Sequence, residues 1–331
     1  MRRYIVRRLL QSVLILFVLS IVVFLLLRVA PGANPALVRC SLNCPKERLE
    51  ALEEEMGLND PYFPIALSTG APFIGVHKDS QYGIWMSQLF SGSLGRDWNG
   101  GAIREELSRR LPTTLELLII TTMVTVTIGV PFGIISAVAR NGAADYGVRL
   151  FAILGLAVPN FWLGVMVLIL PQTLWDYAPP LTTTIGFFDS PWDNLRQFIP
   201  PAIVLAAVSA AGVMRLTRSS MLEVMRQDYI RTARSKGLRE QMVVSRHALK
   251  NSLIPVVTVI GLDIAGLFGG AVIIERIFNL NGVGNYFLQV LLVKDYQVAQ
   301  TLTLYIGAVV VLLNLTVDLV YAWLDPRIRY S

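Results

Sequence analysis

Two histidines, two cysteines and one acid set inside an apolar run are the residues of this chain whose types invite chemistry. His77 and His247 belong to no His-Glu-x-x-His pair, nucleophile elbow or Ser/His/Asp trio, so an intrinsic enzyme is not expected. No Gly-x-x-x-x-Gly-Lys-Ser/Thr loop is available to cradle nucleotide phosphates. Cys40 and Cys44, four apart, are either a disulfide or two free thiols. A metal site is not expected, because zinc usually wants four ligands and neither histidine is near in sequence. Asp263 sits mid-run, where a charged carboxylate costs about 2.5–3.5 kcal/mol on insertion scales. It either faces a pathway, a partner or a basic group, or is a protonated or hydrogen-bonded structural acid.

The strongest polar signal is Asp228–Pro255, which reads DYIRTARSKGLREQMVVSRHALKNSLIP. On a helix Ala233 and Gly237, four apart, share one face and form a small-residue notch into which another protein's side chains pack. Gly237 equally suits a turn between this helix and a second one over Leu238–Leu249. The competing reading is a solvated basic loop that only sets orientation.

Composition says what carries these residues. With 54% hydrophobic and 16% charged residues and a mean hydropathy of +0.55, the chain reads as a polytopic membrane protein. Its net charge of +6 does not imply nucleic acid, because membrane proteins gather Lys and Arg on cytoplasmic loops. Leu9–Leu27 is uncharged, long enough for about 28 Å of helix, and follows Arg2, Arg3, Arg7 and Arg8. A transmembrane helix with its N-terminus inside is therefore expected over 1–30, rather than a signal peptide.

An extracytoplasmic region, 31–112, follows, with a helix opened by Pro45 and ended by Gly57 and an interfacial amphipathic helix over Ala102–Leu111. The core, 113–324, carries spans over Thr113–Val138, Leu150–Trp175 kinked at Pro159, Pro200–Met214, Ser252–Ile274 and Thr301–Leu324. Its large cytoplasmic loop is 215–251, and a cytoplasmic tail occupies 325–331. Gly129, Gly133, Gly266, Gly269 and Gly270 are expected at close helix contacts. Basic residues concentrate in the segments this topology puts inside, whereas the short outer loops hold only Arg196, Arg276 and Lys294.

Asp228-Tyr-Ile-Arg-Thr-Ala-Arg-Ser-Lys-Gly237, followed by Arg246-His-Ala-Leu-Lys-Asn-Ser-Leu-Ile-Pro255, closely resembles the EAA-type coupling-loop signature of ABC importer permeases. Within them it is similar to the dipeptide, oligopeptide and nickel group, first-subunit type. Tyr4-x-x-Arg-Arg8, Gly57-Leu-Asn-Asp-Pro61, Ser93-Leu-Gly-Arg96, Leu111-Pro-Thr-Thr-Leu-Glu-Leu117, Gly269-Gly-Ala-Val272 with Glu275, and Gly282-Val-Gly284 extend the likeness along nearly the whole chain.

The resemblance implies an all-α membrane protein with the six-helix type I importer permease fold and both termini cytoplasmic. It implies ATPase coupling through Asp228, Tyr229, Arg231, Thr232, Ala233, Gly237 and Leu238, and a translocation pathway with Pro159, Asn160 and Asp263 as candidates. The implied partners are a second homologous permease, two ABC ATPase subunits or domains that bind ATP and Mg, and an extracytoplasmic substrate-binding protein. The setting is the lipid membrane of a bacterial or archaeal cell, with no nucleic acid and no cofactor on this chain. Arg231 stands where the general signature has glutamate, and Lys250 where it has proline. The alternatives are a proton-driven secondary transporter using Asp263 and a membrane scaffold without transport.

Overall fold

The structure, a computed structural model, describes residues 2–29, 35–40, 44–63, 65–67, 74–76, 80–98, 100–177 and 184–324. The expected tail 325–331 and most of the stretch 68–81 lie outside them. The helices are α1 (Arg2–Val29), α2 (Pro35–Cys40), α3 (Lys46–Glu55), α4 (Gln81–Phe90), α5 (Ile103–Val138), α6 (Ala143–Ala157) and α7 (Asn160–Trp175). They continue with α8 (Pro191–Val224), α9 (Asp228–Ser235), α10 (Glu240–Met242), a π-helical turn (Val243–Ala248), α11 (Leu249–Ile277), α12 (Val283–Leu292) and α13 (Tyr296–Leu324). Among the described residues five helical stretches are long and apolar enough to cross a membrane, and α6 with α7 make a further apolar pair. Leu10, Val13, Leu14, Phe151, Phe161 and Leu174 stand exposed on such helices, the pattern of a surface that meets lipid. The expectation of an all-α chain needs one amendment: Ile65–Leu67 pairs antiparallel with Ile74–Val76.

The chain forms two compact units. The first comprises Met1–Arg8, Pro112–Asn285 and Val310–Ser331. Here α8 packs on α6, α7 and α11, and its small residues Ala202, Ala206, Ala210 and Ala211 let those helices come close. On α5, Gly129 and Gly133 lie so near Val213 and Thr217 that a Cβ would collide. Of the expected contact glycines on α11, Gly270 meets Leu205, but Gly266 and Gly269 have nothing within 4 Å. Arg8 pairs with Asp318 at 3.2 Å, pinning the start of α1 to the later part of α13.

Several spans differ from the expected ones, each for a local reason. The third is not one kinked helix: α6 and α7 meet at 102°. Val158, ahead of Pro159, is pushed out of the helical region (φ −88°, ψ 124°), and Pro159, lacking an N–H, starts the next helix instead of continuing the first. The fourth is not short: α8 runs 34 residues, because Arg215 and Arg218 end the apolar run without ending helix propensity through Met221-Leu-Glu-Val224. For the same reason Ala102–Leu111 is not a separate interfacial helix; its residues from Ile103 onward are the first turns of α5.

The second unit comprises Leu9–Leu111 and Tyr286–Val309. Its core is Phe24, Tyr82 and Trp85 with Ile21, Phe63, Met86 and Leu304 around them. The Tyr82 ring meets Phe24 edge-on, its hydroxyl lies 2.8 Å from Ser20 Oγ, and Trp85 Nε1 donates to Thr301 Oγ1 at 3.1 Å. Ser80 caps α4 by accepting from the Gly83 N–H. The Pro45-started helix is α3, and Gly57 with φ +63° ends it as expected. Cys40 and Cys44 are paired, their Cα atoms 5.4 Å apart.

Candidate coupling element and membrane cleft

The segment singled out by sequence folds as α9 and a turn, followed directly by the long helix that becomes α11. Met225 and Gln227 close the end of α8 through N–H bonds to Met221 and Val224, and α9 begins one residue later. Helical spacing then sorts its residues onto two faces. Ile230 and Ala233 point inward and are buried, packed with Ala137 of α5, Met221 of α8, and Val243 and Ala248 of the π-helical turn. Asp228, Tyr229, Arg231 and Thr232 are exposed.

This corrects the expected notch. Ala233 is only 6% exposed and its small side chain serves the close approach of α9 to its own chain, not a partner. Gly237 does not share its face, because α9 has already ended: Lys236 is its cap and Gly237 takes φ +75°. The alternative role for Gly237, the turn, is the one adopted. A Cβ there would meet nothing within 4 Å, so the glycine is required by backbone conformation rather than by crowding. Arg234 reaches across the turn to Glu240 with two bonds of 3.1 and 2.6 Å, and this carboxylate holds the guanidinium pKa above its usual range. Leu238 is half-buried against the same apolar cluster. No second short helix spans Leu238–Leu249; Glu240–Ile277 is helical throughout. The Tyr229 hydroxyl accepts from Asn251 Nδ2 at 2.9 Å, tying the exposed face of α9 to the start of α11.

A polar clamp that sequence reasoning missed supports this element from α6. Asp145 is fully buried and holds Arg218 of α8 through two bonds, Nε to Oδ1 at 2.8 Å and Nη2 to Oδ2 at 2.9 Å. Ser136 Oγ of α5 and the Asn141 N–H complete its shell. In sequence Asp145 falls in the polar stretch between two apolar runs, where one acid gives no signal; in the structure it stands in the first turn of α6. A second buried carboxylate, Glu275, accepts from Thr114 Oγ1 at 2.6 Å and from the Asn285 N–H at 2.9 Å, capping the start of α12. Gly282 and Gly284 leave the space this carboxylate occupies.

The pathway candidates are near one another in part. Pro159 and Asn160 lie at the break between α6 and α7 and line an open cleft of about 370 Å³ with Leu156, Phe161, Val208 and Ile273. Asp263 does not line it; it is half-buried on α11 with the Ser209 hydroxyl of α8 as hydrogen-bond partner. Among the described residues no group of three or more His, Cys, Asp or Glu side chains is placed to hold a metal.

Comparison with known proteins agrees along the whole chain. The family described as binding-protein-dependent transport system inner membrane component matches residues 129–330, and its N-terminal membrane component matches residues 1–118. The chain is 36% identical over 333 residues to the oligopeptide transport system permease protein AppB of Bacillus subtilis, with 100% of both chains covered. It is 37% identical over 350 residues to the dipeptide transport system permease protein DppB of Alkalihalophilus pseudofirmus, again with 100% of both covered. In fold it is similar to an inward-facing MetNI methionine ABC transporter, with TM-score 0.51 and 18% identity over 66% of this chain and 96% of that one. An amino acid ABC transporter gives TM-score 0.51 at 13% identity over 73% of this chain and 98% of that one.

Proposed function

Because this chain belongs to the family of binding-protein-dependent transport system inner membrane components, we propose that it is the transmembrane subunit of an ATP-driven importer for di- or oligopeptides. It catalyses no reaction itself. ATP and Mg belong to two partner ATPase subunits or domains inside the cell, and peptide arrives from an extracytoplasmic binding protein. A second homologous permease completes the pathway through the cell membrane.

The observation that carries the coupling role is the two-faced build of α9. One face is fixed through Ile230 and Ala233 to α5, α8 and the root of α11, while Asp228, Tyr229, Arg231, Thr232 and the Gly237 turn stand in the open. A push on the open face is passed to three long helices at once, because packed interiors shift as units rather than deform. Exposure of a partnered, rigid knob fits a cleft on an ATPase. The break at Pro159 and the cleft beside it suit a pathway, since irregular backbone at membrane depth is tolerated only where it is buried or lines a cavity. The Arg8–Asp318 pair suits termini on one side of the membrane.

The test is uptake of a labelled tripeptide by liposomes holding the assembled importer. Uptake should need ATP and binding protein, and Gly237→Asp should abolish peptide-stimulated ATP hydrolysis while the chain still folds. Uptake that survives without ATP but stops with Asp263→Asn would establish the proton-driven alternative instead, and no uptake under any condition would leave only a scaffold.

A further inference from the structure

In the second unit, Arg28 is a half-buried cation held by neutral partners. Its Nε donates to Gln81 Oε1 at 2.8 Å, and its Nη1 donates to Gln300 Oε1 at 2.9 Å and to the Phe24 carbonyl at 3.4 Å. The guanidinium carbon sits 3.7 Å above the Phe24 ring. Gln81 is itself fixed, its Nε2 donating to the Leu58 and Asp60 carbonyls at 3.0 and 2.8 Å, so its oxygen is turned toward Arg28. Among the described residues no carboxylate pairs with Arg28 and no acceptor meets Nη2.

That charge lines a recess of about 120 Å³, walled by Trp85 and the side-chain amides of Gln88, Gln297 and Gln300. The recess shares Met56, Gly57, Ile84, Gln88 and Gln297 with an open hollow of about 900 Å³. A planar guanidinium whose Nη2 is left without an acceptor can donate to a carboxylate oxygen, and neutral amides around it add donors without competing charge. The hollow gives such a ligand a way in and room for the rest of it.

We propose that the Arg28 recess binds the terminal carboxylate of a short peptide, a substrate station on the permease itself. The identity of the ligand rests on the peptide-importer reading. The recess is already formed and mixes the Gln88, Gln297 and Gln300 amides with apolar wall from Met56, Leu58, Ile84 and Trp85, so binding needs neither nucleotide nor binding protein.

Labelled tri-alanine is titrated against the full-length chain in nanodiscs, with no other subunit and no ATP. Saturable binding is expected, weakened at least about tenfold when tri-alanine amide replaces the acid, since a charge-assisted bond is lost. Arg28→Gln should weaken the acid by a similar factor and leave the amide unchanged, with Arg28→Lys between them. Absent binding, equal binding of acid and amide, or unchanged binding by Arg28→Gln would each overturn the proposal. The ligand comparison uses unaltered protein, so it decides even if Arg28→Gln fails to fold. ATP-driven peptide uptake by a chain that shows no such binding overturns the station alone; loss of ATP dependence overturns the importer reading.

Discussion

Replacing Asp145 by alanine removes the centre of a four-bond shell that joins α5, α6 and α8. For a fully buried pair, deleting one partner costs about 3–5 kcal/mol, mostly from the charge left behind. Arg218 keeps 23% of its side-chain surface exposed, so water recovers part of its charge, and about 2–3 kcal/mol is the expected cost. In a chain of this length that lowers the unfolding midpoint by roughly 4–8 °C, measurable by intrinsic fluorescence in detergent. Arg218→Ala should cost less, since the orphaned carboxylate keeps Ser136 and the Asn141 N–H. The double variant should cost little more than Asp145→Ala alone, because the two side chains act as one interaction. Strictly additive losses, or an unchanged midpoint in Asp145→Ala, would refute the clamp. Because α8 leads straight into α9, the single variants should also weaken peptide-stimulated ATP hydrolysis at temperatures where they remain folded.

Three further variants test other parts of the fold. Ala233→Asp places a carboxylate among Ala137, Met221, Ile230 and Val243 and should cost at least about 3 kcal/mol, seen as loss of folded protein on size-exclusion chromatography. Gly237→Asp meets open space and carries only the left-handed backbone cost of about 1–2 kcal/mol, so it should stay folded; equal stability of the two variants would contradict the burial of Ala233. Gly282→Ala pushes a methyl group into the Glu275 carboxyl and should destabilise by about 1–3 kcal/mol, read as a lower thermal midpoint, and an unshifted midpoint would show that α12 does not depend on this fit.

Much of the architecture was legible because apolar runs are a one-dimensional signal. Leu9–Leu27, the run after Thr113 and the run after Thr301 must leave water whatever they pack against, and the helices there follow. Pro45 and Gly57 set the limits of α3 through backbone conformation, which is also local. Helix ends in polar surroundings were not legible: Arg215 and Arg218 look like a loop beginning, yet helix propensity carries α8 past them, and Arg218 then finds Asp145.

The order of residues determined that the chain spans membranes and marked Asp228–Pro255 as a basic segment with Gly237 either in a helix-face notch or at a turn. Tertiary structure alone decided which side of that helix is available. Ala233 and Gly237 are equivalent in a helical projection, but Ala233 is drawn inward by Met221 and Val243, which lie on other elements, and Gly237 is left outside by the turn. Likewise Asp145 and Arg218, 73 positions apart, become partners only when α6 crosses α8. Spacing reports the period of a helix, whereas burial depends on what arrives from elsewhere in the chain.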